Sequence, residues 1–165
     1  LVLTGMMGVG KSTVGKSLAK KLLFKFIDID KVIERQEGCS INFIFKSKSE
    51  NYFRMLENEI TLNELNKNNS VISLGGGSFM NPEIRNKIKN TCVSFWLDVN
   101  TNILINRLNK SKRRPLLLSK NVAETVHKIY LERKKTYQKA DFRIKCSSLR
   151  STTITNKILK IYESL

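Results

Sequence analysis

The sequence predicts an α/β protein whose core is a mainly parallel five-stranded sheet covered by helices. Short apolar runs alternate with segments of helical periodicity, which is the pattern of strands joined through crossover helices. A glycine-rich loop connects the first apolar run to the first helical segment, and another apolar run ends in three consecutive glycines. A length of 165 residues is typical of one compact domain, and no internal repeat is visible, so we expect one domain over 1–165.

Five apolar runs supply the predicted strands. They lie at residues 1–4, 24–30, 71–74, 92–97 and 142–146. Residues that commonly begin helices lie between them: Ser40, the Ser47-x-x-Glu50 capping box, the Asn81-Pro82 pair and Asn121. The closing helix is expected to be amphipathic, with one apolar face made of Ile154, Ile158, Ile161 and Leu165.

Residues 5–13 form a phosphate-binding motif. They match the pattern G-x-x-x-x-G-K-[ST] at each fixed position, and a strand and a helix flank them. In such a loop, backbone N–H groups converge on an anion at a helix N-terminus. Lys11 would reach the β- and γ-phosphates, and the Ser12 hydroxyl can bind Mg²⁺. A glycine-rich turn without a ligand is the alternative, and the correct flanks favour a nucleoside triphosphate site instead.

Two carboxylates, Asp28 and Asp30, close the second predicted strand. On an extended strand, residues two apart point to the same side, and ligands of open α/β sheets bind beyond the carboxyl ends of strands. One carboxylate could organise Mg²⁺ while the other accepts a proton from an attacking hydroxyl. Alternatively, both are surface acids at the start of the next helix, over 31–37. The neighbouring phosphate loop favours the functional interpretation.

The segment Gly75-Gly76-Gly77 follows an apolar strand and indicates a ligand site, because a ligand can approach bare backbone closely. A flexible turn is the alternative. Arg54 and Glu57 lie three residues apart on a predicted helix. On their own they indicate a surface ion pair worth less than about 1 kcal/mol. Arg107 lies near the end of another helix, where a cation favours the helix dipole.

Residues 109–120 are strongly basic and then apolar, with one proline and no periodicity. This composition is typical of a mobile lid that closes over phosphates. A nucleic-acid or nuclear-localisation patch is the competing interpretation of Lys112-Arg113-Arg114.

The whole chain is basic, with 30 Lys and Arg against 14 Asp and Glu, a net charge of +16 and a pI of about 10.0. The basic residues are spread along the sequence, so a solvated surface that attracts anionic substrates explains the charge as well as nucleic-acid binding does. We expect no nucleic-acid partner. Nor do we expect a membrane partner, because no apolar run approaches the ~20 residues that a membrane helix needs.

The three cysteines, Cys39, Cys92 and Cys146, are far apart and show no C-x-x-C metal spacing. Cys92 and Cys146 fall in predicted strands and are expected to be small buried hydrophobic residues. This cysteine usage predicts a protein of the reducing cytoplasm. The chain opens within its first predicted strand and lacks an initiating Met, so we expect it to be clipped at the N-terminus.

Taken together, these motifs resemble the shikimate kinase family over essentially the whole chain. The resemblance rests on residues 5–13, Ile27-Asp28-Ile29-Asp30, Ser40-Ile41 through Phe45, Phe53-Arg54, Leu74-Gly75-Gly76-Gly77, Arg114-Pro115-Leu116-Leu117 and Arg133 four before Tyr137. It implies a P-loop three-layer sandwich with parallel strand order 2-3-1-4-5 and a mobile lid. It also implies that ATP, with Mg²⁺, phosphorylates the 3-hydroxyl of shikimate, a step toward chorismate and the aromatic amino acids. We expect a monomer.

The same resemblance implies roles for individual residues. The catalytic residues would be Lys11, Asp30 and Arg114. Mg²⁺ would be bound by Ser12 and Asp28. Shikimate would be bound by Asp30, Phe45, Phe53, Arg54, Gly75, Gly76, Gly77 and Arg133, with Arg54 and Arg133 on its carboxylate. The nucleotide would be bound by Gly8, Val9, Gly10, Lys11, Ser12, Thr13, Arg107, Arg114 and Arg150, with Arg107 near the adenine.

The loop after the last predicted strand departs from the family pattern. The family usually has a basic residue and often a proline there, whereas residues 147–152 read Ser-Ser-Leu-Arg-Ser-Thr, which leaves Arg150 as the candidate. Two alternative functions remain open. A gluconate-type P-loop kinase would also use an acidic, sugar-like substrate, and a nucleic-acid-binding protein would show steeply salt-dependent binding.

Overall fold

The computed structural model describes residues 1–109, 121–147 and 149–165. Its centre is a five-stranded sheet in the order β2-β3-β1-β4-β5. The strands are β1 (Val2–Thr4), β2 (Lys25–Asp28), β3 (Ser70–Ser73), β4 (Ser94–Asp98) and β5 (Phe142–Lys145). Each pair of neighbouring strands is parallel, so both the predicted sheet and its order are confirmed.

Helices connect the strands. They are α1 (Lys11–Leu22), α2 (Ile29–Glu37), α3 (Ile41–Ser47), α4 (Glu50–Glu64), α5 (Pro82–Thr91), α6 (Thr101–Asn109), α7 (Val122–Tyr137) and α8 (Ser151–Tyr162). A 3₁₀ turn, Ser78–Met80, follows the three glycines. Within the part of the chain that is described, none of these helices combines the length and apolar character needed to cross a membrane.

The central strands are buried on both faces. Every residue of β1, β3 and β4 is buried, including the polar residues Thr4, Ser73 and Asp98. Helices that cover both faces of a parallel sheet produce this burial, which is why these strands are apolar runs without alternation. Because the helices pack on the faces, the carboxyl ends of the strands stay accessible at one edge.

Several helix caps follow the sequence signals. The side chains of Ser40, Asn81 and Asn121 accept hydrogen bonds from the backbone N–H groups of Phe43, Glu83 and Glu124. These caps are local interactions that a short stretch of sequence determines.

Other boundaries differ from the prediction. The second strand ends at Asp28, and Ile29 begins α2 with its side chain fully buried, so burial extends the helix toward its N-terminus. The predicted capping box from Ser47 to Glu50 is also wrong. The Ser49 hydroxyl caps α4 by accepting from Tyr52 N, while the Ser47 hydroxyl donates to the Phe43 carbonyl.

The predicted burial of two residues, Cys92 and Leu165, is also wrong. Cys92 follows α5 and is half-buried, since β4 begins only at Ser94. Cys146 is buried as expected, but it lies one residue beyond the end of β5. Leu165 lies beyond the end of α8 and is 71% exposed, so the apolar face of that helix consists of Ile154 and Ile158 with partly buried Ile161.

Leu23, the residue after α1, has a backbone conformation that favours glycine. It has left-handed backbone geometry, with φ 56 and ψ 33, and its side chain is 93% exposed. Left-handed geometry is unfavourable for residues with a Cβ, while the exposed side chain contributes little packing. We predict that Leu23→Gly raises the free energy of unfolding by roughly 0.5–1 kcal/mol, measured by urea denaturation.

Gly38 is the matched control, because it ends α2 with φ 64 and has no atom near the position of a Cβ. Gly38→Ala should lower the free energy of unfolding by a similar amount. Destabilisation by Leu23→Gly would contradict the backbone geometry assigned to that helix end.

Candidate active site

A cavity of about 800 Å³ opens at the carboxyl edge of the sheet. Its walls come from the phosphate loop, from α2 to α4, from the three glycines and from α7. The predicted site residues that line it are Ser12, Asp28, Asp30, Phe45, Phe53, Arg54, Gly76, Gly77 and Arg133. The structure therefore brings together residues from six separate stretches of sequence.

The phosphate loop leaves β1 and enters α1 in close contact with β4. Gly5 has φ 134, and a Cβ at this position would lie 2.6 Å from the carbonyl oxygen of Leu97. A residue larger than glycine would therefore push the loop away from the sheet. Lys11 is 9% exposed, and its Nζ donates to the carbonyl oxygens of Gly5 at 2.8 Å and Met6 at 3.1 Å. These bonds place the ammonium group against the loop.

Ser12 and Asp28 form a contact between α1 and the end of β2. The Ser12 hydroxyl donates to Asp28 Oδ2 at 2.5 Å. A hydroxyl and a carboxylate are oxygen ligands of the type that Mg²⁺ prefers, and proteins usually bind this ion through one or two carboxylates together with substrate phosphates and water. The described residues contain no group of three or more His, Cys, Asp or Glu that could hold a metal, so the protein offers a partial ligand set.

Asp28 and Asp30 reach the cavity in a different way from the one expected. Asp28 is extended and directly precedes α2, whereas Asp30 lies in the first turn of that helix. Their common orientation is therefore not due to strand alternation. Asp30 Oδ1 would lie 3.0 Å from a Cβ on Gly75, so this carboxylate faces the first of the three glycines.

Arg54 and Glu57 form part of the cavity wall rather than a surface ion pair. Arg54 Nη1 donates to Glu57 Oε2 at 2.7 Å, and Nη2 donates to Glu50 Oε1 at 3.0 Å. Glu57 is 3% exposed, and its Oε1 accepts from the Ser78 hydroxyl at 2.7 Å. Burial alone would lower the pKa of Arg54, but the charges and hydrogen bonds of the two glutamates raise it above its usual value. The guanidinium is therefore both charged and fixed in orientation.

Gly75 and Gly77 are necessary because charged side chains lie directly against them. A Cβ on Gly75 would collide with Glu57 Oε1, and a Cβ on Gly77 would lie 2.6 Å from Arg54 Nη1. Arg133 lies beside the middle glycine, with its Nη1 donating to the Gly76 carbonyl at 2.8 Å. Asp30, Arg133 and Arg54 thus contact successive glycines of one segment.

Tyr137 was not among the expected site residues. Its hydroxyl donates to the Gly76 carbonyl at 2.5 Å, and its ring stacks on Trp96 with centroids 5.9 Å apart. Burial raises the pKa of Tyr137 to about 12, although the Arg133 charge opposes the shift. The sequence offered one signal, because a residue four positions after Arg133 lies one turn away on the same helix face. Ser78, which follows the three glycines, was also missed.

The expected nucleotide contacts are only partly described. Arg107 Nη1 lies 3.3 Å from the carbonyl oxygen of Gly8 and 3.4 Å from that of Val9, so this arginine contacts the phosphate loop. Arg150 is exposed and precedes α8, and it does not line the cavity. Arg114 and the rest of the expected lid beyond Asn109 lie outside the described residues.

Fold and site together define a P-loop kinase. A phosphate loop, a hydroxyl–carboxylate pair beside it and a cavity that contains both carboxylate and guanidinium groups share one edge of a parallel sheet. The sequence model of the shikimate kinase family matches residues 7–163. The chain therefore belongs to the shikimate kinase family.

Individual relatives agree with this assignment. The chain is 42% identical over 159 residues to the shikimate kinase of Sulfurihydrogenibium sp. (strain YO3AOP1), a match that covers 96% of this chain and 95% of the relative. Among solved structures, it is similar to shikimate kinase from Acinetobacter baumannii in complex with shikimate, with a TM-score of 0.95 and 29% identity, covering 99% of this chain and 92% of that one.

A gluconokinase from Sinorhizobium meliloti 1021 is a more distant structural neighbour. It has a TM-score of 0.56 and 14% identity, covering 96% of this chain and 88% of that one. This likeness shows a shared fold alone.

The crowding around Gly75 yields a stability prediction. Gly75→Ala would place a methyl group against Glu57 Oε1 and 2.9 Å from the Ser78 hydroxyl, which would separate two buried hydrogen-bond partners. We predict that the free energy of unfolding falls by roughly 1–3 kcal/mol. Gly76→Ala is the matched control, because the nearest atom to its Cβ would be Met7 N at 3.4 Å, and it should cost less. Equal urea denaturation midpoints for the two variants would argue against a Glu57 side chain that is held in place by Arg54 and Ser78.

Proposed function

We propose that this protein acts as a shikimate kinase, which transfers the γ-phosphate of ATP to the 3-hydroxyl of shikimate and releases ADP and shikimate 3-phosphate. The observation that carries the proposal is the order of charged groups along Gly75–Gly77. Asp30 faces the first glycine, Arg133 the second and Arg54 the third. A small molecule lying on this backbone would meet a carboxylate near one end and guanidinium groups further along.

The carboxylate of shikimate suits Arg54 and Arg133. A guanidinium presents a planar fork of donors that matches both oxygens of a carboxylate. Glu57 and Glu50 hold the fork of Arg54, and the Gly76 carbonyl holds that of Arg133. The apolar face of the ring would contact Phe45 and Phe53, whose centroids are 4.8 Å apart in the cavity wall.

Asp30 suits the reacting alcohol. In the transfer, the hydroxyl oxygen forms a bond to the γ-phosphorus while the bond from that phosphorus to the β–γ bridging oxygen breaks. Asp30 would orient the hydroxyl and accept its proton, and ADP would leave with the electron pair of the broken bond. Lys11, together with Arg114 from the expected lid, would stabilise the negative charge of the transferring group.

The nucleotide would bind along the phosphate loop, through the N–H groups and side chains of 8–13. Mg²⁺ would be held by Ser12 and Asp28, which already contact each other, and would neutralise phosphate charge. Arg107 beside the loop and Arg150 before α8 are the proposed contacts to the rest of the nucleotide. We further propose a monomer that works in the cytoplasm.

The first functional prediction concerns the substrate. Wild-type protein with ATP and Mg²⁺ should form ADP rapidly when shikimate is added, with a turnover on the order of 1–100 s⁻¹, and slowly without it. Gluconate should not replace shikimate. Lys11→Ala should lower the shikimate-dependent rate by roughly 10²–10³ while the far-ultraviolet circular dichroism spectrum is retained. ADP formation with gluconate but not shikimate would instead support the gluconate-type alternative.

The second functional prediction concerns the carboxylate. Arg54→Lys and Arg133→Lys keep the charge but remove the planar fork, so each should raise the shikimate KM strongly. Removal of one charged partner would cost roughly 2–4 kcal/mol of binding, because the other charge is left buried and unpaired. The KM for ATP should change little, because neither residue belongs to the phosphate loop. Calorimetric titration with shikimate measures the loss, and a shikimate ester should be a poor substrate of the wild type. Unaltered affinity in either variant would remove that arginine from the site.

A further inference from the structure

Two donors share one carbonyl in the candidate site. The Gly76 carbonyl oxygen accepts from the Tyr137 hydroxyl at 2.5 Å and from Arg133 Nη1 at 2.8 Å. The tyrosine is 0% exposed and stacks on Trp96, so its hydroxyl has a fixed direction. Because the phenol stays protonated at neutral pH and a carbonyl can only accept, the phenol is a permanent donor to Gly76.

Arg133 is held differently from Arg54. Arg54 forms ion pairs with Glu50 and Glu57, whereas Arg133 makes no ion pair with any carboxylate in the described ranges. Its hydrogen bond goes to a neutral carbonyl. A carboxylate ligand would therefore compete for Arg133 Nη1 against a weak partner rather than against another negative charge.

Turning Arg133 toward a ligand would take one donor away from Gly76. A part-buried carbonyl that loses its donors carries a free-energy penalty, and this penalty would make ligand binding weaker. The Tyr137 hydroxyl prevents this loss, because it remains bonded to the same oxygen when the guanidinium moves.

We propose that Tyr137 is a positioning residue for the substrate carboxylate, because its hydroxyl keeps the Gly76 carbonyl bonded while Arg133 turns from that carbonyl to shikimate. This proposal rests on the proposed function. It assigns to the tyrosine a role in substrate affinity and not in the chemical step.

Tyr130 provides a matched comparison on the same helix. It lies seven residues before Tyr137, and its hydroxyl donates to Asp98 Oδ1 at 3.1 Å. Asp98 also accepts from Arg143, so it keeps a partner when the Tyr130 hydroxyl is removed. Each tyrosine hydroxyl thus links α7 to another part of the fold. The difference is that Tyr137 and Arg133 donate to the same acceptor, the Gly76 carbonyl.

The test compares Tyr137→Phe with Tyr130→Phe. Phenylalanine preserves the ring on Trp96, and thermal unfolding checks that each variant is folded. We expect Tyr137→Phe to raise the shikimate KM roughly five- to tenfold, the equivalent of one hydrogen bond, with kcat and the ATP KM unchanged. Tyr130→Phe should leave the shikimate KM unchanged. An equal rise in both variants, or a fall in kcat with unchanged shikimate KM, would indicate a merely structural role and overturn the proposal.

A double-mutant cycle gives the decisive result. If Tyr137 acts through Arg133, adding Tyr137→Phe to Arg133→Ala should not weaken calorimetrically measured shikimate binding any further. The same loss factor in both backgrounds would overturn the proposal. A wild type that forms no ADP with shikimate would overturn the proposed function and this proposal together, whereas an active wild type with an unaltered Tyr137→Phe shikimate KM would overturn this proposal alone.

Discussion

The buried carboxylate of Glu57 is the constraint on which much of the candidate site depends. A buried carboxylate needs a partner for each of its oxygens, and removal of one partner leaves part of its charge uncompensated. Here one oxygen accepts from Arg54 and the other from Ser78. Since Ser78 begins the turn after the glycines and Arg54 lies on α4, the carboxylate ties two distant segments together. Gly75 supplies the room that this arrangement needs.

Strand order explains why the remaining parts meet. Neighbouring strands β2, β3 and β1 each deliver one component at their carboxyl ends. Asp28 ends β2, the three glycines follow β3, and the phosphate loop follows β1. In a parallel sheet these ends share an edge, so the components that follow them lie around one cavity. The arginines are then added from helices that cross this edge.

The features that could be read from the sequence are local or motif-based. The strand–loop–helix order around residues 5–13, the presence of five strands and the caps at Ser40, Asn81 and Asn121 depend on a few consecutive residues, and the structure agrees with them. The strand order came from the family resemblance, because periodicity does not say which strands are neighbours.

The features that were missed depend on tertiary contacts. The end of β2 was misplaced because the burial of Ile29 favours the helix, and burial is not visible in a short pattern. The bond from Tyr137 to Gly76 joins residues 61 apart in sequence. The short sequence around the start of α4 also does not determine its cap, because Ser47 and Ser49 are both good capping residues. The path of the backbone selects Ser49.

The pairing of Arg54 separates the capture of an anion from its retention. Arg54 and Arg133 carry two positive charges, and Glu50 and Glu57 beside Arg54 carry two negative ones, so these four groups sum to zero and the region around the two arginines projects little field into solvent. Long-range attraction must then come from the surface, which the net charge of +16 makes strongly positive. At ~0.15 M ionic strength, salt screens such a surface beyond about 8 Å but hardly affects contacts inside the cavity. Ionic strength should thus govern how fast anionic ligands arrive, while the fixed geometry of the arginine forks governs how long they stay.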